Sequence, residues 1–416
     1  MRVLWVVNIM MPVAAEAFGE KISNYSGGWL TGGYNALVRD ANISLGIAFP
    51  HKEVKQTENS EKVCFYTFLE KKNTETMVDR AKEIIESYSP DIIHIYGTEF
   101  LHSYVFQNAA NELSIPTVIS IQGLVSEYAK HFYSDLPYHV IYGLTLRNIV
   151  FKDNVFFLKR ALQKKGQYEI ECIKNAKNVI GRTIWDRACV KAINTNIQYY
   201  HNEETLRDSF YEETWDYNKA EKNTLFISQC SSPVKGFHIF LQALAIVKKE
   251  IPDIKVFVVG KNILDRRDIK ERLNKTYYME YCRKLIQKKS LGNNIIFLGR
   301  LSEHEMVSAM KKANIFVLPS TIENSPNSLC EAMILGVPCI ASYVGGVPTL
   351  AKEDAVATYQ YNSVNVLAHM IVSLLTDNEK QLELSSKAKA VARIRHDRDN
   401  NAEVLKKIYY KICGLS

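Results

Sequence analysis

Residues 318–350 read LPSTIENSPNSLCEAMILGVPCIASYVGGVPTL, and the rest of the chain can be ordered around them. An apolar run ending at Leu318 gives way to a Ser/Asn/Pro-rich turn and then an apolar helical run. A second short apolar run at Pro338–Ala341 and the pair Gly345-Gly346 follow. Strand, helix and strand with this punctuation describe a unit of a parallel α/β sheet. Pro326 is tolerated only near a helix start, so Glu323 is expected in the loop and Glu331 in the first helical turns. The amides around Ser325–Leu329 then carry the positive end of the helix and suit anionic oxygens.

Glu323 and Glu331 lie eight positions apart, about 12 Å along a helix. That is too far for a shared proton or for an acid/base pair acting on one bond. It matches the reach of a diphosphate-linked sugar, with one carboxylate at the sugar hydroxyls and the other at a ribose. The bare spacing equally describes a surface helix with two solvated glutamates.

The same alternation runs through the chain. Strands are expected at Val3–Val7, Val63–Phe68, Ile92–Tyr96, Thr117–Ile121 and Asn178–Gly181, then at Thr224–Gln229, Lys255–Gly260, Asn294–Leu298, Ile315–Leu318 and Pro338–Ala341. Length favours two domains. The boundary is expected in the polar, aromatic stretch Tyr199–Asn223, giving domains at 1–217 and 218–394, with a terminal helix at about 395–416 packing back on the first. The expected architecture is two Rossmann-like parallel sheets facing a central cleft, with ligand loops at the carboxyl ends of strands.

Residues 1–217 hold 23 basic and 26 acidic side chains, and residues 218–416 hold 29 and 19. The second half therefore suits an anionic ligand. No window has the roughly 18 apolar residues of a membrane span. MRVLWVVNIMMP reads as a buried first strand rather than a secretion signal. Eight cysteines without paired spacing suggest reduced thiols in a cytoplasmic protein. No cluster has metal-ligand spacing.

The string PSTIENSPNSLCEAMILGVPCIAS…GGVP resembles the signature of the family 4 retaining glycosyltransferases of GT-B fold. The resemblance covers the second half from Leu225 to Gly346. It extends more loosely to SGGW, DIIHIYGTEF and IPTVISIQG in the first. It implies that Glu323 contacts the transferred sugar, Glu331 the ribose, and the amides near Asn327, Ser328 and Leu329 the donor diphosphate. The implied activity is metal-independent and needs no cofactor. It transfers a hexose-type sugar from a nucleoside diphosphate to a saccharide or lipid-linked saccharide. The implied setting is bacterial surface polysaccharide or capsule assembly at the inner face of the plasma membrane.

SQCSSPVKG, Ser228–Gly236, places the Lys235 ammonium near a helix start, where it can neutralise a departing diphosphate. Relatives usually carry Arg six residues before this Lys. Here Gln229 stands there, able to donate hydrogen bonds without charge. Arg300 and Leu301, in LGRLS, are expected by resemblance to line the nucleobase pocket, although a surface arginine at a turn reads the same way. Gly27 and Gly28 follow the first strand without a GxGxxG fingerprint. They either let backbone approach the donor or make a plain turn.

Gln122 in Ile121-Gln122-Gly123 stands where relatives place a His-Asp or His-Glu pair, and is expected as the neutral substitute among the catalytic residues. His131 can fill the same gap or be a surface group. Glu99 can contact an acceptor or simply sit at an early helical turn. Arg147–Lys165 carries six basic residues against one acidic, with interspersed aromatics. It can lie on an anionic bilayer or pack on its own domain, and no RNA-binding pattern accompanies it. A sugar-nucleotide 2-epimerase of the same architecture and a non-catalytic nucleotide-sugar-binding subunit are the competing readings.

Overall fold

Fourteen strands form in the described residues, and the first sheet is built around β1 (Arg2–Val6). The computed structural model describes residues 1–20, 28–60, 63–69, 74–265 and 275–415. The chain divides into two compact units. The first comprises Met1–Ser126, Lys164–Arg207 and Arg395–Ser416; the second comprises Glu127–Gln163 and Asp208–Ile394. Residues 127–163, numbered with the N-terminal half in the sequence reading, thus cluster with the second unit. Thr145 Oγ1 donates to Lys275 O at 3.1 Å and Tyr277 N to Asn148 Oδ1 at 3.1 Å, which ties this insertion to its neighbours in space.

In the first unit, β2 (Ser44–His51), β3 (Gln56–Ser60), β4 (Val63–Leu69), β5 (Ile92–Tyr96), β6 (Thr117–Ser120), β7 (Asn178–Gly181) and β8 (Gln198–His201) join β1 in the order β3-β4-β2-β1-β5-β6-β7-β8. Every pairing is parallel except β3 with β4. Strand alternation is plain in β1. Leu4 and Val6 enter the core with Ile84, Tyr88 and Phe106, while Val3 and Trp5 enter the opposite one with Leu30, Leu405 and Tyr409. Both faces are covered, so β1 reads as an apolar run rather than a polar/apolar alternation.

In the second unit, β9 (Thr224–Ile227), β10 (Lys255–Val259), β11 (Ile295–Gly299), β12 (Ile315–Leu318), β13 (Cys339–Ser342) and β14 (Ala357–Tyr359) pair in parallel, in the order β11-β10-β9-β12-β13-β14.

Four of these strands lie outside the expected set: β2, β3, β8 and β14. Gly46 and Pro50 interrupt the β2 sequence and resemble turn punctuation. Packing explains the glycine: a Cβ at Gly46 would meet the Tyr88 ring at 2.9 Å and Leu4 at 3.0 Å. β3 is the polar antiparallel strand at one edge, and β8 overlaps the start of the stretch read as a domain junction.

Candidate functional site

The second sheet carries its loops after β9, β11, β12 and β13 on one edge, because parallel strands end on the same side. The loop after β12 holds Glu323, and the helix Asn327–Leu335 begins after Pro326. Glu331 therefore sits in the second turn of this helix, buried, with Glu323 buried in the preceding loop.

Glu323 Oε1 accepts from Lys235 Nζ at 2.6 Å and from Ser320 Oγ at 2.7 Å. A carboxylate this buried is costly without such partners. The Lys235 side chain remains 29% exposed, so the pair opens on one side to solvent. Lys235 ends a short 3₁₀ turn, Pro233–Lys235, and Gly236 starts the helix Phe237–Glu250.

Two glycines make this meeting possible. Gly236 has φ +66°, and a Cβ there would lie 1.8 Å from Pro319 O. Gly345 has φ +50°, and a Cβ there would lie 2.0 Å from Glu323 O. Gly346 N also donates to Glu323 O at 2.9 Å. The double glycine after β13 is thus a backbone seat for the Glu323 loop. Gly236→Ala combines backbone strain with a collision against main chain and should cost about 2–4 kcal/mol. Thermal or denaturant unfolding measures this, and unchanged stability would mean that the two loops do not touch.

Further bonds pin the loops. Thr321 N donates to Val234 O at 2.8 Å, and Ser228 Oγ donates to Ser328 Oγ at 3.1 Å. Asn324 N donates to Tyr128 Oη at 2.9 Å. Leu329 N closes the first helical turn on Pro326 O at 3.0 Å. Of the three amides expected to face a donor, Asn327 and Ser328 therefore lead the helix, and Leu329 contributes a buried side chain. Gln229 is exposed in the β9 loop, and Arg300 is exposed with Leu301 half-buried after β11.

The remaining expected residues lie on other elements. Gly27 lies outside the described residues, and Gly28 opens the helix Gly28–Val38. His131 is exposed in the second unit. Gln122 and Glu99 belong to the first unit, in the loops after β6 and β5. Gln122 Nε2 donates to Glu204 Oε1 at 2.8 Å, and its carbonyl accepts from Arg182 Nη2 at 3.0 Å. Arg182 is itself paired with Glu204. Glu99 accepts from Thr98 N at 3.0 Å; burial raises its pKa, partly offset by the Glu99 and Thr98 amides and by Lys165.

Sequence reasoning missed several residues that hold these loops. Glu169 is fully buried and accepts from Val125 N at 2.7 Å and Ser126 N at 3.0 Å, just beyond Gln122. Burial pushes its pKa up to about 7, with the Ser126 and Val125 bonds opposing the shift. Ser320, Tyr128 and Ser228 carried no distinctive spacing either. His94 is held neutral, its pKa pushed down to about 3 by burial. Its ring nitrogens meet Tyr409 Oη at 2.6 Å and Ser120 Oγ at 2.7 Å, so it is a structural histidine. A cavity of about 50 Å³ among Trp5, His94, Ser120, Arg182, Glu204 and Asn401 has room for a few waters but not for a sugar ring.

The Glycosyl transferases group 1 family model matches residues 210–391. A phosphatidyl-myo-inositol mannosyltransferase of Mycolicibacterium smegmatis is 24% identical over 201 residues, 48% of this chain and 47% of that protein. The chain thus spans about half the length of that curated relative. Among solved structures, sucrose-phosphate synthase from Thermosynechococcus elongatus superposes with a TM-score of 0.72 at 16% identity, covering 100% of both chains. Anabaena HepE, solved in complex with UDP-glucose, gives 0.67 at 16% identity, covering 98% of this chain and 99% of that one.

Proposed function

Because the chain belongs to the group 1 glycosyltransferases, family 4 with the GT-B fold, we propose that it moves a hexose-type sugar, with retention, from a nucleoside diphosphate to a saccharide or lipid-linked saccharide. The observation that carries the reading is the Lys235–Glu323–Ser320 cluster at the strand-end edge of the second sheet, beside the helix that bears Glu331. A cation, a buried carboxylate and leading helix amides are what a sugar diphosphate requires.

In this reading Glu323 orients the sugar through its hydroxyls, and Glu331 accepts from the ribose. The bond between the anomeric carbon and the diphosphate oxygen breaks while the acceptor oxygen bonds to that carbon on the same face. The acceptor proton passes to the departing diphosphate oxygen. Lys235 and the Asn327 and Ser328 amides stabilise the charge that grows on it. Gln229 supplies hydrogen bonds there without charge, and Arg300 and Leu301 border the base. Gln122, held in place by Glu204 and Arg182, is the neutral substitute among the catalytic residues, and Glu99 and His131 are the acceptor-side candidates. The pathway that fits is surface-polysaccharide assembly on the inner face of the plasma membrane. The mannosyltransferase relative named for phosphatidyl-myo-inositol favours a lipid-linked acceptor.

A thermal-shift screen over nucleotide sugars, followed by transfer to an acceptor panel with NMR of the new anomeric centre, tests this. Isomerised donor without acceptor would point to an epimerase, and binding without turnover on any acceptor to a non-catalytic subunit. Glu331→Ala should weaken nucleotide binding by about 10- to 100-fold, the worth of charge-assisted hydrogen bonds. Titration calorimetry with the nucleoside diphosphate reads this directly, and unaltered affinity would remove Glu331 from the ribose.

A further inference from the structure

We propose that residues 138–151 form a bilayer-inserting surface selective for anionic lipid. Arg147–Lys165 is not one basic helix. It breaks at Lys152, whose φ is 49°, between a short helix Leu146–Phe151 and the long helix Val155–Asn175. The short helix turns its apolar side chains outward: Leu146 is 68% exposed, Ile149 59%, Val150 72% and Phe151 64%. Tyr138, Tyr142 and Leu144 are exposed beside it in sequence. Of the fifteen exposed large apolar residues among the described ones, seven fall in these fourteen positions. Scattered singly such residues mean little, but a cluster marks an interaction surface.

The inversion is fixed by polar anchors. Asn148 is fully buried; its Oδ1 accepts from Tyr277 N at 3.1 Å, and its Nδ2 donates to Asp153 Oδ1 at 2.7 Å. Thr145 caps the helix with Asn148 and donates to Lys275 O at 3.1 Å. The helix therefore cannot roll its apolar side inward without breaking these bonds.

Charge selects the occupant. Asp153 is the sole acid in residues 136–163 and is consumed by Arg147 at 2.7 Å and by Asn148. Exposed Lys152 and Arg160 follow the apolar residues in sequence. Two copies meeting through this patch would bring those cations together, whereas anionic headgroups match them and acyl chains take the apolar tips. The surface deepens the lipid-linked-acceptor reading and rests on it for its purpose, yet bilayer binding is measurable without any sugar donor.

The test is flotation of the full chain with phosphatidylcholine vesicles, with and without phosphatidylglycerol. Wild type should float with the anionic vesicles only. I149S/V150S/F151S should lose at least about ten-fold in binding, as should Lys152→Glu with Arg160→Glu. Both variants should keep the unfolding midpoint and the donor thermal shift of wild type. Absence of wild-type flotation overturns the proposal. So does a wild-type dimer in sedimentation that the triple variant converts to monomer. Flotation without transfer to any acceptor leaves this surface standing and defeats the transferase reading alone.

Discussion

Glu323→Ala should lower the rate of sugar transfer by roughly 10³-fold or more while leaving nucleoside diphosphate affinity within a few-fold of wild type. Glu323 is buried and points one oxygen at both Lys235 and Ser320. In the proposed reading its contribution is to orientation of the sugar and to the field at the anomeric carbon, and the nucleotide does not need it. Loss of the carboxylate leaves Lys235 with access to solvent, so the fold should persist. Single-turnover kinetics with calorimetry on the same preparation separates the effects. Equal loss of nucleotide binding in Glu323→Ala and Glu331→Ala would contradict the division of roles between the two glutamates.

Lys235→Ala should have the second largest effect. Because Gln229 carries no charge, the proposed reading leaves Lys235 and the helix amides to balance the departing diphosphate. Removing the ammonium should lower kcat by about 10²–10³-fold. It also strands Glu323 without its cation, a cost of about 1–3 kcal/mol in stability. The mutations share one interaction, so Lys235→Ala/Glu323→Ala should lose much less than the product of the single losses. A double-mutant cycle on kcat and on unfolding free energy measures this coupling. Full additivity in both would show that the 2.6 Å contact has no bearing on function.

The residues of the donor-side candidate were legible because they are local. Pro326 restricts where a helix can start, so Glu323 in the loop and Glu331 in the helix followed from one string. Strands such as β5, β6 and β12 were legible as short apolar runs bounded by turns. The β2 strand was hidden, because a glycine required by Tyr88 looks like punctuation until Tyr88 is seen against it. Glu169 was hidden for a related reason: an acid close to Glu171 on a lysine-rich helix resembles a solvated face, and only folding brings it to the amides of Val125 and Ser126.

By itself, then, the chain's sequence determined the alternation of strand and helix, and it put Glu323 in a loop and Glu331 in the helix that follows. These follow from periodicity and from proline and glycine stereochemistry, which act over a few residues. The tertiary structure decided what touches what. It set Lys235 against Glu323 across 88 positions, seated Gly345 beneath the Glu323 carbonyl, and turned the apolar side of Leu146–Phe151 outward through Asn148. Such contacts depend on which loops the sheet order brings to one edge and on which polar group finds a buried partner, and neither is written in any short stretch of chain.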